Sequence, residues 1–322
     1  MKKGLPVLLV LVLVLGIMTG CGTQAAKQTT APADRTNQVT PTQTSYPLKI
    51  TDDSGTKVTI PAKPKRIICF VPSSTETLFA LGADASVVAV TKWDNFPVDV
   101  QKKVEYVFQD SVNPNIEQIV KLNPDLIILG KMKTESKTIT SIRNLKVPVI
   151  VSDSENLAST YKSIERFGQI TDTQAAAQKI VDSMQQKEKA IEKKVAAVKE
   201  ADRPKVWIEV DPTMYTAGTG TFMDELVTKA GGINIAKDIK GWAQYSSEKV
   251  IAANPQVILD TYGYYVANVK QNIMKRAGWQ SIDAVKNQRV VDLDSDLVDR
   301  PGPRIVDGME SIAKALYPDL FW

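Results

Sequence analysis

The chain has 322 residues, 43% of them hydrophobic and 24% charged, with no histidine and two cysteines. That length supports two domains of ordinary size. The missing histidine excludes Ser-His-Asp and Cys-His catalytic sets, histidine-ligated zinc or haem iron and an imidazole pH switch, and two cysteines build neither a Cys₄ metal site nor a disulfide framework. The net charge is +4, with Lys2 and Lys3 supplying two of the positive charges. That is too mild a balance for a nucleic-acid surface.

Taken in chain order, the first twenty residues form a secretory signal. Lys2 and Lys3 precede an almost wholly apolar run, Leu5 to Met18, which is shorter than the roughly 20 residues a membrane-spanning helix needs. The run ends in Met18-Thr19-Gly20-Cys21, which resembles the lipobox of bacterial lipoproteins. The resemblance implies that Cys21 is acylated on sulfur and begins the mature chain, and acyl chains bury about 0.8 kcal/mol per methylene in a membrane. Residues 21–46 are rich in Thr, Gln, Ala and Pro and cannot bury enough surface to offset their ordering entropy. They are expected to be a lipidated leash with a coil reach on the order of 25–30 Å.

Arg66–Val71 reads as a buried parallel strand, with Cys69 a small core thiol. Pro72-Ser73-Ser74-Thr75-Glu76 starts a helix that ends at Gly82, and Glu76 is expected to be structural. Val87–Thr91 is the next strand. The segment 115–129 then repeats at 246–260: a glutamate (Glu117, Glu248), a short amphipathic helix, Asn-Pro, and a four-residue apolar strand. Each half closes on another short strand, Val147–Ser152 and Arg289–Leu293, and the second half opens with strand Val206–Val210 and a helix from about Thr221 to Ala230. Alternating strands and helices imply parallel sheets flanked by helices. From Thr173 to Lys199 there is neither Gly nor Pro, and Ala176, Ile180, Met184, Ile191, Val195 and Val198 form one helical stripe. Such a helix is roughly 40 Å long. The expected fold is α/β: two Rossmann-like lobes, 47–158 and 201–322, joined by one long α-helix over 159–200.

A lipid-anchored pair of such lobes resembles the helical-backbone class of ABC-transporter substrate-binding proteins. Lys65-Arg66-Ile67-Ile68, Pro72 to Glu76 and Leu81-Gly82-Ala83 resemble its first strand–helix unit. Lys92-Trp93-Asp94-Asn95-Phe96-Pro97 resembles the aromatic loop of its cobalamin-binding branch, and Asp299-Arg300-Pro301-Gly302-Pro303-Arg304 with Asp307-Gly308 and Glu310 resembles that branch's C-terminal signature. The resemblance spans about 60–320. It implies a non-enzymatic protein on the extracytoplasmic face of the membrane that captures a corrinoid between its lobes. Delivery is to an ABC permease dimer with its ATPase subunits. The ligand brings its own cobalt, so no resident cofactor or metal site is implied.

Clefts at the C-terminal ends of parallel strands bind ligands. Trp93 and Phe96 follow a strand there and suit a flat ligand. Asp94 either accepts a ligand amide or caps the turn. Tyr215 lies after the Val206–Val210 strand and resembles an aromatic contact of the cobalamin branch, while repeat symmetry places Trp242, with Tyr245 beside it, toward the cleft. Asp296 and Arg300 follow the last strand, where Arg300 can donate to amides or carboxylates or pair with an aspartate. Gly218-Thr219-Gly220 is a tight turn before a helix, without the spacing of a phosphate fingerprint. Glu117 and Glu248 complement their helix dipoles and can cap, and the resemblance implies that they dock on permease arginines.

Alternatives are a ferric-siderophore binder of the same class and a haem binder using a tyrosinate from Tyr262, Tyr264 or Tyr265. A third is an enzyme using carboxylates such as Asp94, Asp211 and Asp296, for which no nucleophile motif is present.

Overall fold

The computed structural model of the chain describes residues 43–131 and 137–321. The expected signal segment, Cys21 and all but the last residues of the leash lie outside the described residues. A hairpin of β1 (Leu48–Thr51) and β2 (Lys57–Ile60) opens the body. Asp52 in its turn accepts from the backbone N–H groups of Ser54, Thr56 and Val151, which fastens the hairpin to the first lobe.

Lobe 1 is a five-stranded parallel sheet of β3 (Ile67–Cys69), β4 (Val87–Thr91), β5 (Tyr106–Phe108), β6 (Leu126–Gly130) and β7 (Val149–Ser152), in the order β5-β4-β3-β6-β7. Helices α1 (Pro72–Ala80), α2 (Ile116–Lys121) and α3 (Lys137–Arg143) connect the strands. β3 and β4 are buried at every position. Helices cover both faces of a parallel sheet, so its strands read as unbroken apolar runs. Burial pushes the Cys69 thiol up to about 12, and it donates to the Val71 carbonyl at 3.3 Å.

The connection to lobe 2 differs from expectation. Two antiparallel helices replace the single element expected over 159–200: α4 (Leu157–Thr171) and α5 (Gln174–Val195), with Asp172 at φ 55° turning the chain. The long helix has 22 residues, about 33 Å. Its buried stripe is Ala177, Val181, Met184, Ile191 and Val195, so the expected Ala176 and Ile180 flank it half-buried. The helices touch where Gly168 meets Ala177: a Cβ at 168 would lie 2.6 Å from that of Ala177. Thr44 and Tyr46, which composition placed in the leash, are docked at this turn. The Thr44 N–H donates to Asp172 at 2.7 Å and the Tyr46 hydroxyl to the Ile170 carbonyl at 2.8 Å.

Lobe 2 runs β8 (Lys205–Glu209), β9 (Tyr215–Ala217), α6 (Phe222–Lys229), β10 (Ile233–Asn234), β11 (Trp242–Gln244), α7 (Ser247–Ala253), β12 (Val257–Asp260), α8 (Val269–Met274), α9 (Asp283–Lys286), β13 (Val290–Asp292), α10 (Ser295–Val298) and α11 (Ile305–Leu316). Its parallel sheet has the order β10-β8-β12-β13. That order superimposes on β4-β3-β6-β7 of lobe 1, so the repeat read in the sequence is a repeat of topology. The antiparallel β9–β11 ribbon is particular to lobe 2 and was not foreseen. One apolar cluster runs from Ile67 and Leu126 in lobe 1, through Phe167, Met184 and Ile191, to Val206, Leu259 and Ile312 in lobe 2. No helix among the described residues is long and apolar enough to cross a membrane.

Candidate functional site

Between the lobes, at the C-terminal ends of both parallel sheets, lies a cavity of about 640 Å³. Lobe 1 supplies the loops after its strands: Pro72 and Ser73 at the start of α1, Trp93 after β4, Lys131 after β6 and Ser154 after β7. Lobe 2 supplies Phe222 at the start of α6, Tyr264 after β12, and Asp296, Asp299 and Arg300 after β13. α1 and α6 are equivalent in the two repeats, and both aim their N-termini at the cavity. A second space of about 510 Å³ adjoins the first through Lys131, Asp153, Ser154 and Phe222 and is walled by Trp242 and Lys240.

The aromatic walls are exposed: Trp93 at 51%, Tyr264 at 67% and Trp242 at 36%. The Lys92 ammonium lies 4.9 Å from the Trp93 ring centre, and Phe222 packs at 5.4 Å against Trp242. Tyr264 meets Tyr265 edge-on at 4.8 Å. Among charged groups, Lys131 pairs with Asp153 at 3.2 Å and Glu155 at 2.9 Å. Asp299 is pushed up to about 7, chiefly by burial. Asp260, beneath the lobe 2 wall, is pushed up to about 8 by burial first and then by the Asp292 and Glu209 carboxyls.

The structure brings Trp93, Asp296 and Arg300 together in the main cavity and puts Trp242 in the adjoining space. Other expected residues lie elsewhere. Asp94 is 1% exposed and takes the cap role: its Oδ2 accepts from the Thr91 N–H at 2.8 Å and the Thr91 hydroxyl at 2.6 Å, so it pins the loop from inside. Phe96 sits under Arg304, whose guanidinium carbon is 3.8 Å from the ring centre. Tyr215 belongs to the β9–β11 ribbon, donates its hydroxyl to the Trp242 carbonyl at 3.0 Å and lines neither space. Tyr245 turns into lobe 2 against Trp207, with its hydroxyl on the Ile235 carbonyl and Asp238.

Sequence reasoning passed over Phe222, Lys92, Lys131 and Ser154 as wall residues. Phe222 had a signal, because it follows Thr221, the cap of the helix equivalent to α1. The loop after β6 offered none beyond its position.

Glu117 and Glu248 are exposed second residues of α2 and α7. Capping is done by Asn115, which accepts from the Gln118 N–H, and by Ser246, which accepts from the Lys249 N–H. Neither glutamate has an ion pair or side-chain hydrogen bond among the described residues. Both helices run back from the cleft side of their sheets, so their N-termini put one free carboxylate of each lobe on the face that carries the cavity mouth.

Comparison with known proteins agrees with this geometry. The family model described as periplasmic binding protein matches residues 67–297. The chain belongs to the periplasmic binding protein family. It is 36% identical over 326 residues to an uncharacterized ABC transporter substrate-binding lipoprotein of Bacillus subtilis (strain 168), covering 100% of this chain and 99% of that one. It is 27% identical over 280 residues to a cobalamin-binding protein of Halobacterium salinarum (strain ATCC 29341 / DSM 671 / R1), covering 85% of this chain and 75% of that one. Among solved structures, a possible iron-binding (periplasmic solute-binding) protein from Staphylococcus epidermidis ATCC 12228 aligns with a TM-score of 0.70 at 34% identity, over 80% of this chain and 100% of that one.

Proposed function

We propose that this periplasmic binding protein captures a corrinoid between its lobes and delivers it to an ABC permease. The observation that carries the reading is the wall composition of the cavity. Trp93, Tyr264 and Phe222 face a space of about 640 Å³ that continues into one of about 510 Å³ beside Trp242. Small-molecule sites are typically about 300–1,000 Å³, so this pair of spaces suits a bulky ligand and dwarfs a bare ion. A corrinoid is a broad apolar disc with amide arms. It needs aromatic faces and uncharged hydrogen-bonding groups, and Ser73, Asn95, Ser152 and Ser154 line the same wall. Its cobalt arrives already held, so the protein supplies no ligand to it. The role is capture, without turnover. The H. salinarum relative, a cobalamin-binding protein, supports this choice of ligand.

The permease meets the face that carries the cavity mouth, with Glu117 and Glu248 as its two contacts, and acylated Cys21 holds the protein outside the membrane. A ferric chelate is the second reading. The exposed Lys92 and Lys240 at the rims favour an anionic ligand, and the Tyr264 phenol faces the cavity.

Calorimetric titration of the soluble body with cyanocobalamin tests the first reading. Micromolar or tighter binding is expected, and Trp93→Ala should weaken it roughly 10- to 100-fold, the worth of one large aromatic wall. No heat with cyanocobalamin, together with tryptophan quenching by a ferric siderophore, sinks the corrinoid reading and establishes the second.

A further inference from the structure

The Trp93–Phe96 loop belongs to lobe 1, yet its Trp93 carbonyl and Asn95 side chain are held from lobe 2. Arg300 spends both terminal nitrogens there. Nη1 donates to Asn95 Oδ1 at 2.6 Å and to Glu76 Oε1 at 3.1 Å, while Nη2 donates to the Trp93 carbonyl at 2.9 Å and meets Asp296 Oδ1 at 2.7 Å. Arg304 completes the set. Its Nε and Nη2 donate to the two Glu76 oxygens at 2.8 and 2.7 Å, and its guanidinium covers the Phe96 ring. Asn95 Nδ2 donates across the lobes to Asp296 Oδ2 at 2.5 Å. Glu76, the shared acceptor, is a lobe 1 carboxylate with a side chain 2% exposed. The approach is close because residue 302 is glycine: a Cβ there would stand 3.0 Å from the Ser73 carbonyl oxygen of α1.

We propose that Arg300 and Arg304 are positioning residues that build the Trp93 wall of the cavity from the opposite lobe, so that the wall stands only while the lobes are clasped. Four acceptors occupy the terminal N–H groups of Arg300, which leaves that fork no free donor to offer a ligand. Its effect on binding therefore passes through the Trp93 carbonyl and Asn95. Two arginines face two carboxylates, Glu76 and Asp296, so the clasp is electrically balanced, and each buried partner depends on the others. Within lobe 1, Trp93 N–H donates to the Thr91 hydroxyl at 3.2 Å, Asp94 pins the loop base, and Gln101 Nε2 donates to the Lys92 and Asp94 carbonyls at 3.0 and 2.7 Å, so the Trp93 carbonyl and the Asn95 side chain are the points held by lobe 2. Parting the lobes removes the far-side anchors, and the Trp93 wall loses its position at the moment the cavity opens. The inference stands whatever the ligand is.

Hydrogen exchange followed by mass spectrometry on the ligand-free protein tests it. Arg300→Lys keeps the charge and loses the fork. It should speed exchange in a peptide spanning 92–98 at least tenfold while α1 and β4 exchange as in the parent. Asn95→Ala, which leaves buried Glu76 untouched and guards against a misfolded arginine variant, should do the same more weakly. Unchanged exchange at 92–98 in both variants overturns the proposal. So does an equal rise in α1 and β4, which would mean that the clasp only stabilises the body. Because no ligand is present, this outcome is independent of the cyanocobalamin titration.

Discussion

Asp260 shows how one side chain at the end of a strand carries a cost that its neighbours set. It is fully buried beside Glu209 in the adjacent strand β8 and paired in register with Asp292 of β13. Its carboxyl holds a proton up to about 8, against roughly 4 in an unfolded chain. The folded state therefore binds more protons between those values. The contribution of this group to stability is fullest below about pH 4 and is lost as pH rises through 8, with a slope of at most about 1.4 kcal/mol per pH unit for one extra proton. Asp299, raised to about 7, adds in the same sense. Thermal melts from pH 5 to 8.5 should show a falling midpoint, and Asp260→Asn should flatten that fall; a variant with the parent's full slope would remove Asp260 as its source. Little of this was legible beforehand. The aspartate stood in the sequence as the polar last residue of an apolar strand, and only the register of two other strands reveals the carboxyls facing it. Asp94 and Tyr245 teach the same lesson in reverse. Both types suit a ligand, and both were claimed by local hydrogen bonds that no spacing rule shows.

The longer strands were the most readable elements, because parallel strands buried on both faces leave unbroken apolar runs. Val87–Thr91 and Val257–Asp260 stand in the structure as read. The helical crossover was less readable. The stripe from Thr173 onward has helical period, but so does Leu157, Tyr161, Ile164 and Phe167 in α4, and only the left-handed Asp172 separates the two. What makes the pair a stiff hairpin is Gly168 against Ala177. Gly168→Ala forces overlap there and should cost about 1–3 kcal/mol, against the gain that alanine normally brings inside a helix. Calorimetric melting of Gly168→Ala, Ala177→Gly and the double variant checks this. The exchanged pair should recover much of the loss, since one methyl again occupies the contact, and strictly additive effects would refute the packing argument.

At the scale of the whole molecule, two lobes of one topology share an apolar core through α5, so the body moves as a stiff frame more than as a loose hinge. The matching glutamates follow from that topology. Their equivalence was legible as a sequence repeat, whereas their freedom from caps and ion pairs among the described residues was not. Glu117→Ala with Glu248→Ala should abolish uptake by cells and leave the calorimetric affinity of the soluble protein unchanged; undiminished uptake would refute the docking role. Each carboxylate is exposed, so the pair should matter through complementarity with a partner and hardly at all for stability.

The seat of Thr44 and Tyr46 on the turn after α4 fixes where any load from the N-terminal side enters the body. α4 starts beside the cavity, just beyond Ser154, and its 15 residues carry the chain about 22 Å away before that turn. A pull applied to the chain before Thr44 would thus be borne at the base of the frame, far from the mouth, and transmitted into α4 and α5 rather than across the clasp. With the proposed anchor on that side, the molecule would be tugged and turned without its grip being pried open.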